Sequence, residues 1–260
     1  MYYSSGLEYI VGNSYLNSPY PHVNYLSNTV GDNYSFSPAL PIIFEPEYKG
    51  KTHFSSYINK QEYANMYTPN HSFTPEIFLN PSRPSSRFVD DNNEARSIAG
   101  EIFELMMKNK LDGNISINVL PLDDFKAMHS FFGPWSSGIL GFSINGAKKE
   151  IFVKENQLDE LMIVIGHEIG HVLTEALPNK HDEEAKAFAF SIEWAETIKK
   201  HNIANLGLSI KDEIDFLPAR NGLHDVAFGF VDFIVKKGRK AIKLHDDLVK
   251  GYISVFDRVY

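Results

Sequence analysis

The chain contains no cysteine. Disulfide cross-links are thereby excluded, and so is any zinc site built on thiolates, which leaves His, Asp and Glu as the metal-ligating side chains. Positive charge is also in short supply: 25 Lys and Arg stand against 33 Asp and Glu, a formal net charge of −8. That balance argues against nucleic acid as the main partner, and the basic run from Lys236 to Lys240 reads as a solvated helix end. No apolar run reaches the roughly 18 residues needed to span a bilayer. The opening MYYSSGLEYIVGNSY lacks the basic and apolar segments of a signal peptide. The expectation is a soluble, cytoplasmic protein without a membrane partner. Apolar residues are present in quantity, at 43% of 260, enough to build the core of one large or two modest domains.

Charged residues and helical periodicity are sparse over residues 1–89, where Tyr, Asn, Ser and Pro recur. This part reads as an extension whose aromatics argue against full disorder, either covering a cleft or packed on the surface as an arm. A tighter pattern starts at Asp90, giving an expected core over 90–200 and a helical C-terminal part over 201–260. Asn93 to Lys110 has the spacing of a helix, Ile115 to Leu120 alternates like a half-buried strand, and a short helix is expected over Asp123 to Phe131. Strands at Gly138 to Ile144 and Lys149 to Lys154 flank Asn145-Gly146, a two-residue hairpin signal. Either hairpin strand can be an edge open to an extended peptide, or be paired internally. The fold class expected is α+β: a small antiparallel or mixed sheet, a motif-bearing helix, a second helix after it and further helices at the C-terminus.

The motif is His167-Glu168-Ile169-Gly170-His171, an HExxH pentapeptide. On a helix its two imidazoles lie on one face one turn apart and can bind one Zn²⁺, with Glu168 beside a metal-bound water. A helix is predicted from about Asn156 to Leu177. Its apolar stripe at Leu158, Leu161, Met162, Ile165, Ile169, Val172, Leu173 and Ala176 is expected on the side away from His167 and His171. Gly166 and Gly170 each cost such a helix about 1 kcal/mol, so they either permit a close backbone approach near the metal or serve packing alone. Solvated histidines on an ordinary amphipathic helix are the alternative to a metal site.

HEIGH followed by DEEAKAFAF at 182–190 resembles the gluzincin metallopeptidases, including the phage and bacterial repressor-cleaving group that carries HExGH. The likeness runs over about 93–198. It implies zinc, a third ligand from a Glu on the next helix within Glu-x-Glu-Ala-x-x-Phe-Ala, and a preceding strand hairpin that binds substrate. In strict register Ala185, Phe188 and Ala189 match, which puts Asp182 rather than a Glu at the ligand position. Glu184 ranks first for its reach, needing only a small rotation of the helix. Glu193 is a rival if the two helices form a hairpin about Pro178 to His181. Glu175, Glu183 or a later histidine complete the alternatives, each acid having a solvated face or a helix N-terminal charge as its plain reading. Leu177 stands where a metzincin would need a third histidine, and His181 reads as a loop histidine.

These residues predict a zinc-dependent metallopeptidase acting on a peptide or protein. Glu168 would serve as general base, and His224, with Asp225 beside it, as the second donor to the developing oxyanion. Tyr252 and Tyr260 are weaker candidates for that donor. The plain reading of His224 is a capping or hydrogen-bonded histidine of a helix over Leu223 to Val235. Two other readings stay open: a metalloprotease-like interaction or assembly protein without activity, and a regulator that cleaves one specific partner.

Overall fold

The computed structural model describes residues 22–25, 75–132, 135–214 and 222–256. The architecture is α+β. A mixed sheet in the order β1-β4-β5-β3 is formed by β1 (His22–Tyr25), β3 (Ile115–Leu120), β4 (Gly141–Asn145) and β5 (Lys149–Lys154). A two-stranded ribbon joins β2 (Phe88–Val89) to β6 (Asn156–Gln157). Six α-helices lie among the described residues: α1 (Asn92–Met107), α2 (Leu122–His129), α3 (Leu158–Val172), α4 (Lys180–His201), α5 (Leu223–Lys236) and α6 (Ala241–Val249).

Local chemistry sets the ends of the longer helices. The Asp91 side chain accepts from Glu94 N–H to start α1, and Lys108 ends it in the left-handed region. Asn179 caps α4, which Asn202 closes in the same left-handed conformation; both asparagines suit those roles. Strand alternation in β4 separates two sets of side chains. Phe142 and Ile144 pack with Phe125, Ile139 and Phe152 on the outer face of the sheet. Gly141, Ser143 and Asn145 point the other way, toward α3.

α3 sits between the sheet and α4, touching both β4 and β5, while α5 and α6 pack on the far part of α4. One apolar cluster runs through β5, α3, α4, α5 and α6. It includes Ile77, Phe78 and Leu79 from the segment read as an extension, and Val226, Phe230 and Leu248 from the C-terminal helices. No helix among the described residues is long and apolar enough to cross a membrane. Residues 1–21, 26–74 and 257–260, including Tyr260, lie outside the described set, so the reading of an arm over the cleft does too.

Three expectations need correction. The motif helix stops at Val172 rather than Leu177. Side-chain donors take the carbonyls at and beyond its end: Asn145 Nδ2 reaches His171 O and Thr174 O, and Lys186 Nζ reaches His171 O and Glu175 O. Second, α3 does not bury one face and offer the other, since every residue from Leu158 to Val172 except Glu160 is buried. Sheet and α4 enclose it from opposite sides. Third, the hairpin loop is 146–148, because Asn145 still pairs with Lys149 in the ladder. Its buried side chain is held by the end of α3 instead of forming the turn.

Candidate metal centre

α3 and α4 run antiparallel and touch at their main chains. A Cβ placed on Gly170 would lie 2.9 Å from Ala187 Cα, and one on Gly166 would lie 2.5 Å from Trp194 Cδ1. Glycine at these two positions is therefore what allows α4 to approach, and Trp194 Nε1 adds a hydrogen bond to Met162 O. The approach sets Ser191 level with His167, and Glu183 and Glu184 level with His171.

The two motif imidazoles point at one another, with Nε2 to Nε2 at 3.2 Å. Glu184 Oε2 completes a triangle at 3.5 Å from His167 Nε2 and 3.8 Å from His171 Nε2. Ligands bound tetrahedrally to zinc at about 2.0–2.1 Å stand about 3.3 Å apart, so the three atoms have the spacing such an ion requires. One donor atom from each residue lies within 4.8 Å of the others, and all three side chains are buried.

The outer nitrogens fix the tautomers. Glu183 Oε2 accepts from Lys186 Nζ at 2.9 Å and from Leu177 N–H at 2.7 Å, while Oε1 accepts from His171 Nδ1–H at 2.8 Å. Ser191 Oγ donates its single proton to Ala187 O at 2.8 Å and so accepts from His167 Nδ1–H at 3.2 Å. With Nδ1 of both rings so engaged, the Nε2 atoms face each other and a carboxylate oxygen. Such a convergence in a buried site calls for positive charge among the three atoms, from protons or from a cation. A single proton relieves one pair; a divalent ion relieves all three. The donor set of two imidazoles and a carboxylate suits zinc.

Burial dominates the electrostatics. It pushes the Glu168 carboxyl up to about 8, against the pull of His171 and Ser143, and neither carboxylate oxygen has a well-formed hydrogen bond among the described residues. It likewise lowers His167 to about 4. For His171 burial acts downward but is outweighed by Glu184 and Glu183, so its pKa rises. Burial raises Glu184 as well, yet His224 and His171 hold it well below the usual carboxylate range. β4 lines this side: a Cβ on Gly141 would come 3.3 Å from Glu168 Oε1 and 2.6 Å from Val164 Cγ1.

His224, from the first turn of α5, is buried with its Nε2 at 3.2 Å from Glu184 Oε2. The candidates thus brought together are His167, Glu168, His171, Glu184 and His224. Asp182 is elsewhere, accepting from Ser254 Oγ and Val255 N–H. Glu193 accepts from Ile242 N–H at the start of α6. Glu175 contributes only its carbonyl, and His181 stacks edge-on with Phe256. Tyr252 is exposed. Glu183 is buried against the outer nitrogen of His171, not on the solvated face that the sequence suggests. The outer edge of β4 carries β1, and β5 is interior to the sheet.

Sequence reasoning missed Ser143, Asn145, Lys186 and Ser191. Two signals were present: the polar alternate positions of Gly141-Phe142-Ser143-Ile144-Asn145 in a strand that should bury an apolar face, and a lysine inside the apolar run Ala185 to Phe190. Comparison of the chain with protein-family models, curated proteins and solved structures finds no match.

Proposed function

We propose that this protein is a zinc-dependent metallopeptidase, with His167, His171 and Glu184 as the metal ligands. The observation that carries the reading is the convergence of two imidazole Nε2 atoms and one carboxylate oxygen in a buried site, close to the spacing of tetrahedral ligands. Bound zinc supplies Lewis-acid polarisation of the scissile carbonyl and lowers the pKa of a water toward about 7. Glu168, adjacent to His167 on α3, accepts the proton of the attacking water and passes it to the leaving amine. Its pKa near 8 in the ion-free protein reflects burial and is suited to a group that both takes and returns a proton. His224, whose Nε2 meets the same Glu184 oxygen at 3.2 Å, orients that carboxylate in the free site and would offer its N–H to the oxyanion once the ion holds Glu184. The substrate is a peptide or protein and the expected location is the cytoplasm.

A second reading, a zinc-holding interaction or regulatory protein with no general proteolysis, is favoured by one feature: His167, Glu168 and His171 are each 0% exposed. Glu168→Gln separates the two. The variant is expected to keep stoichiometric zinc while turnover of a peptide library falls by roughly 10²- to 10⁴-fold. If a chelator-sensitive activity survives in the variant, Glu168 is not the base. If the wild type binds zinc and cleaves neither library nor cell lysate, the second reading replaces the first.

A further inference from the structure

We propose that Lys186 is a positioning residue of the metal centre, acting through Glu183 and the main chain of His171 to hold that histidine as a ligand. The inference rests on the metal-binding reading above. Lys186 is fully buried in α4, yet all three of its ammonium N–H groups have an acceptor. They are Glu183 Oε2 at 2.9 Å, His171 O at 3.1 Å and Glu175 O at 3.3 Å. A neutral amine has only two N–H groups, so this set of three acceptors calls for the charged form.

The ammonium grips His171 at both ends. One contact fixes the carbonyl of its own peptide. Another fixes the carboxylate whose remaining oxygen takes His171 Nδ1–H. Ring orientation and tautomer are thereby set together, which leaves Nε2 bare and aimed at Nε2 of His167.

The same contact decides which glutamate is the ligand. Glu183 and Glu184 are adjacent and both buried. With Lys186, Leu177 N–H and His171 Nδ1–H on its oxygens, Glu183 is committed away from the ion, whereas Glu184 Oε2 faces three imidazole nitrogens. The charges agree. Lys186 neutralises Glu183, so that the ion meets Glu184 and Glu168 and not a third uncompensated carboxylate. Asn145 Nδ2 also donates to His171 O but touches no carboxylate of the site, so it cannot supply this balance.

The test is zinc affinity, measured by competition with a chromophoric chelator on the full chain, for wild type, Lys186→Met, Glu183→Gln and the double variant. Lys186→Met is expected to weaken zinc binding by 10- to 100-fold. The double variant should be no weaker than Glu183→Gln alone within about threefold, because the lysine acts mainly through that carboxylate and Asn145 Nδ2 still holds His171 O. Cobalt substituted for zinc should show an altered visible spectrum in Lys186→Met. A lysine that merely supports folding would lower the melting temperature of the metal-free protein and leave zinc affinity and the cobalt spectrum unchanged, which would overturn the inference. Should Lys186→Met fail to fold, the wild type decides: in the zinc-loaded chain the Lys186 ammonium protons should give a slowly exchanging NMR signal, with His171 protonated at Nδ1. His171 protonated at Nε2 would contradict the proposal. A wild type that binds no zinc refutes the metallopeptidase reading itself, a result distinct from variants that bind as well as wild type.

Discussion

His167 and His171 differ in what holds their outer nitrogen: a serine hydroxyl for the first, a carboxylate for the second. For Glu168 the pull of His171 and Ser143 is outweighed by burial, which has a measurable consequence. In the ion-free protein its carboxyl titrates near 8, against 4.5 in the unfolded chain. The native state therefore retains a proton that the unfolded chain has released. The associated stability is fully present below pH 4.5 and is lost as pH rises through 8. His167 has the opposite sign. Burial lowers it from 6.5 to about 4, so its contribution is present above pH 6.5 and lost as pH falls through 4. Between pH 5 and 8 the metal-free Glu168→Gln variant should consequently gain on wild type by up to about 1.4 kcal/mol per pH unit, read from denaturant unfolding. Parallel curves would show that Glu168 is not buried as described. For His224→Ala, kcat/KM for peptide is expected to fall by about 10²-fold, with zinc lost less readily than from His167→Ala. Loss of zinc equal to that of His167→Ala would instead make His224 a ligand.

The centre depends on the crossing of α3 and α4 at two glycines. Gly170→Ala puts a methyl group 2.9 Å from the Cα of Ala187, so backbone must move. We expect a loss of about 1–3 kcal/mol in stability together with weaker zinc binding, because the helix displaced is the one that carries Glu184. Chemical denaturation with and without zinc checks both; a stability loss at unchanged zinc affinity would disconnect the crossing from the site. Asn145→Ala removes the donor to His171 O and Thr174 O and should cost about 1–3 kcal/mol by the same assay. Elements with a clear period were legible in the sequence: β3 spans the same residues as its alternation, and α5 starts at Leu223 as read. The end of α3 was not, since it is set by donors from β4 and α4 that local periodicity does not contain. Nor was the orientation of α3, because a helix enclosed on all sides keeps an apparent apolar stripe while its polar residues are buried by their own partners.

For the molecule as a whole, the site is a point where three layers meet: the sheet through β4, the motif helix, and α4 with the C-terminal helices behind it. The pentapeptide made the two histidines legible at once. Which of Asp182, Glu183, Glu184 and Glu193 lies beside the two histidines was not legible, because it follows from the helix crossing at Gly166, Gly170 and their neighbours on α4. Because those layers come together only in the native state, zinc binding should stabilise the whole chain. At a free zinc concentration 100 times Kd the gain is about 2.7 kcal/mol, seen as a raised melting temperature that a chelator reverses. A His171→Ala variant should show no such rise, and a rise equal to that of wild type would place the ion elsewhere.

The most direct measurement is X-ray absorption at the zinc edge on the full chain after reconstitution and removal of free metal. The expected result is one zinc per chain, a shell of nitrogen and oxygen at about 2.0–2.1 Å, and the outer-shell scattering of two imidazoles, lost in His167→Ala/His171→Ala. A chain that retains no zinc, or a shell without imidazole that is unchanged in that double variant, would contradict it.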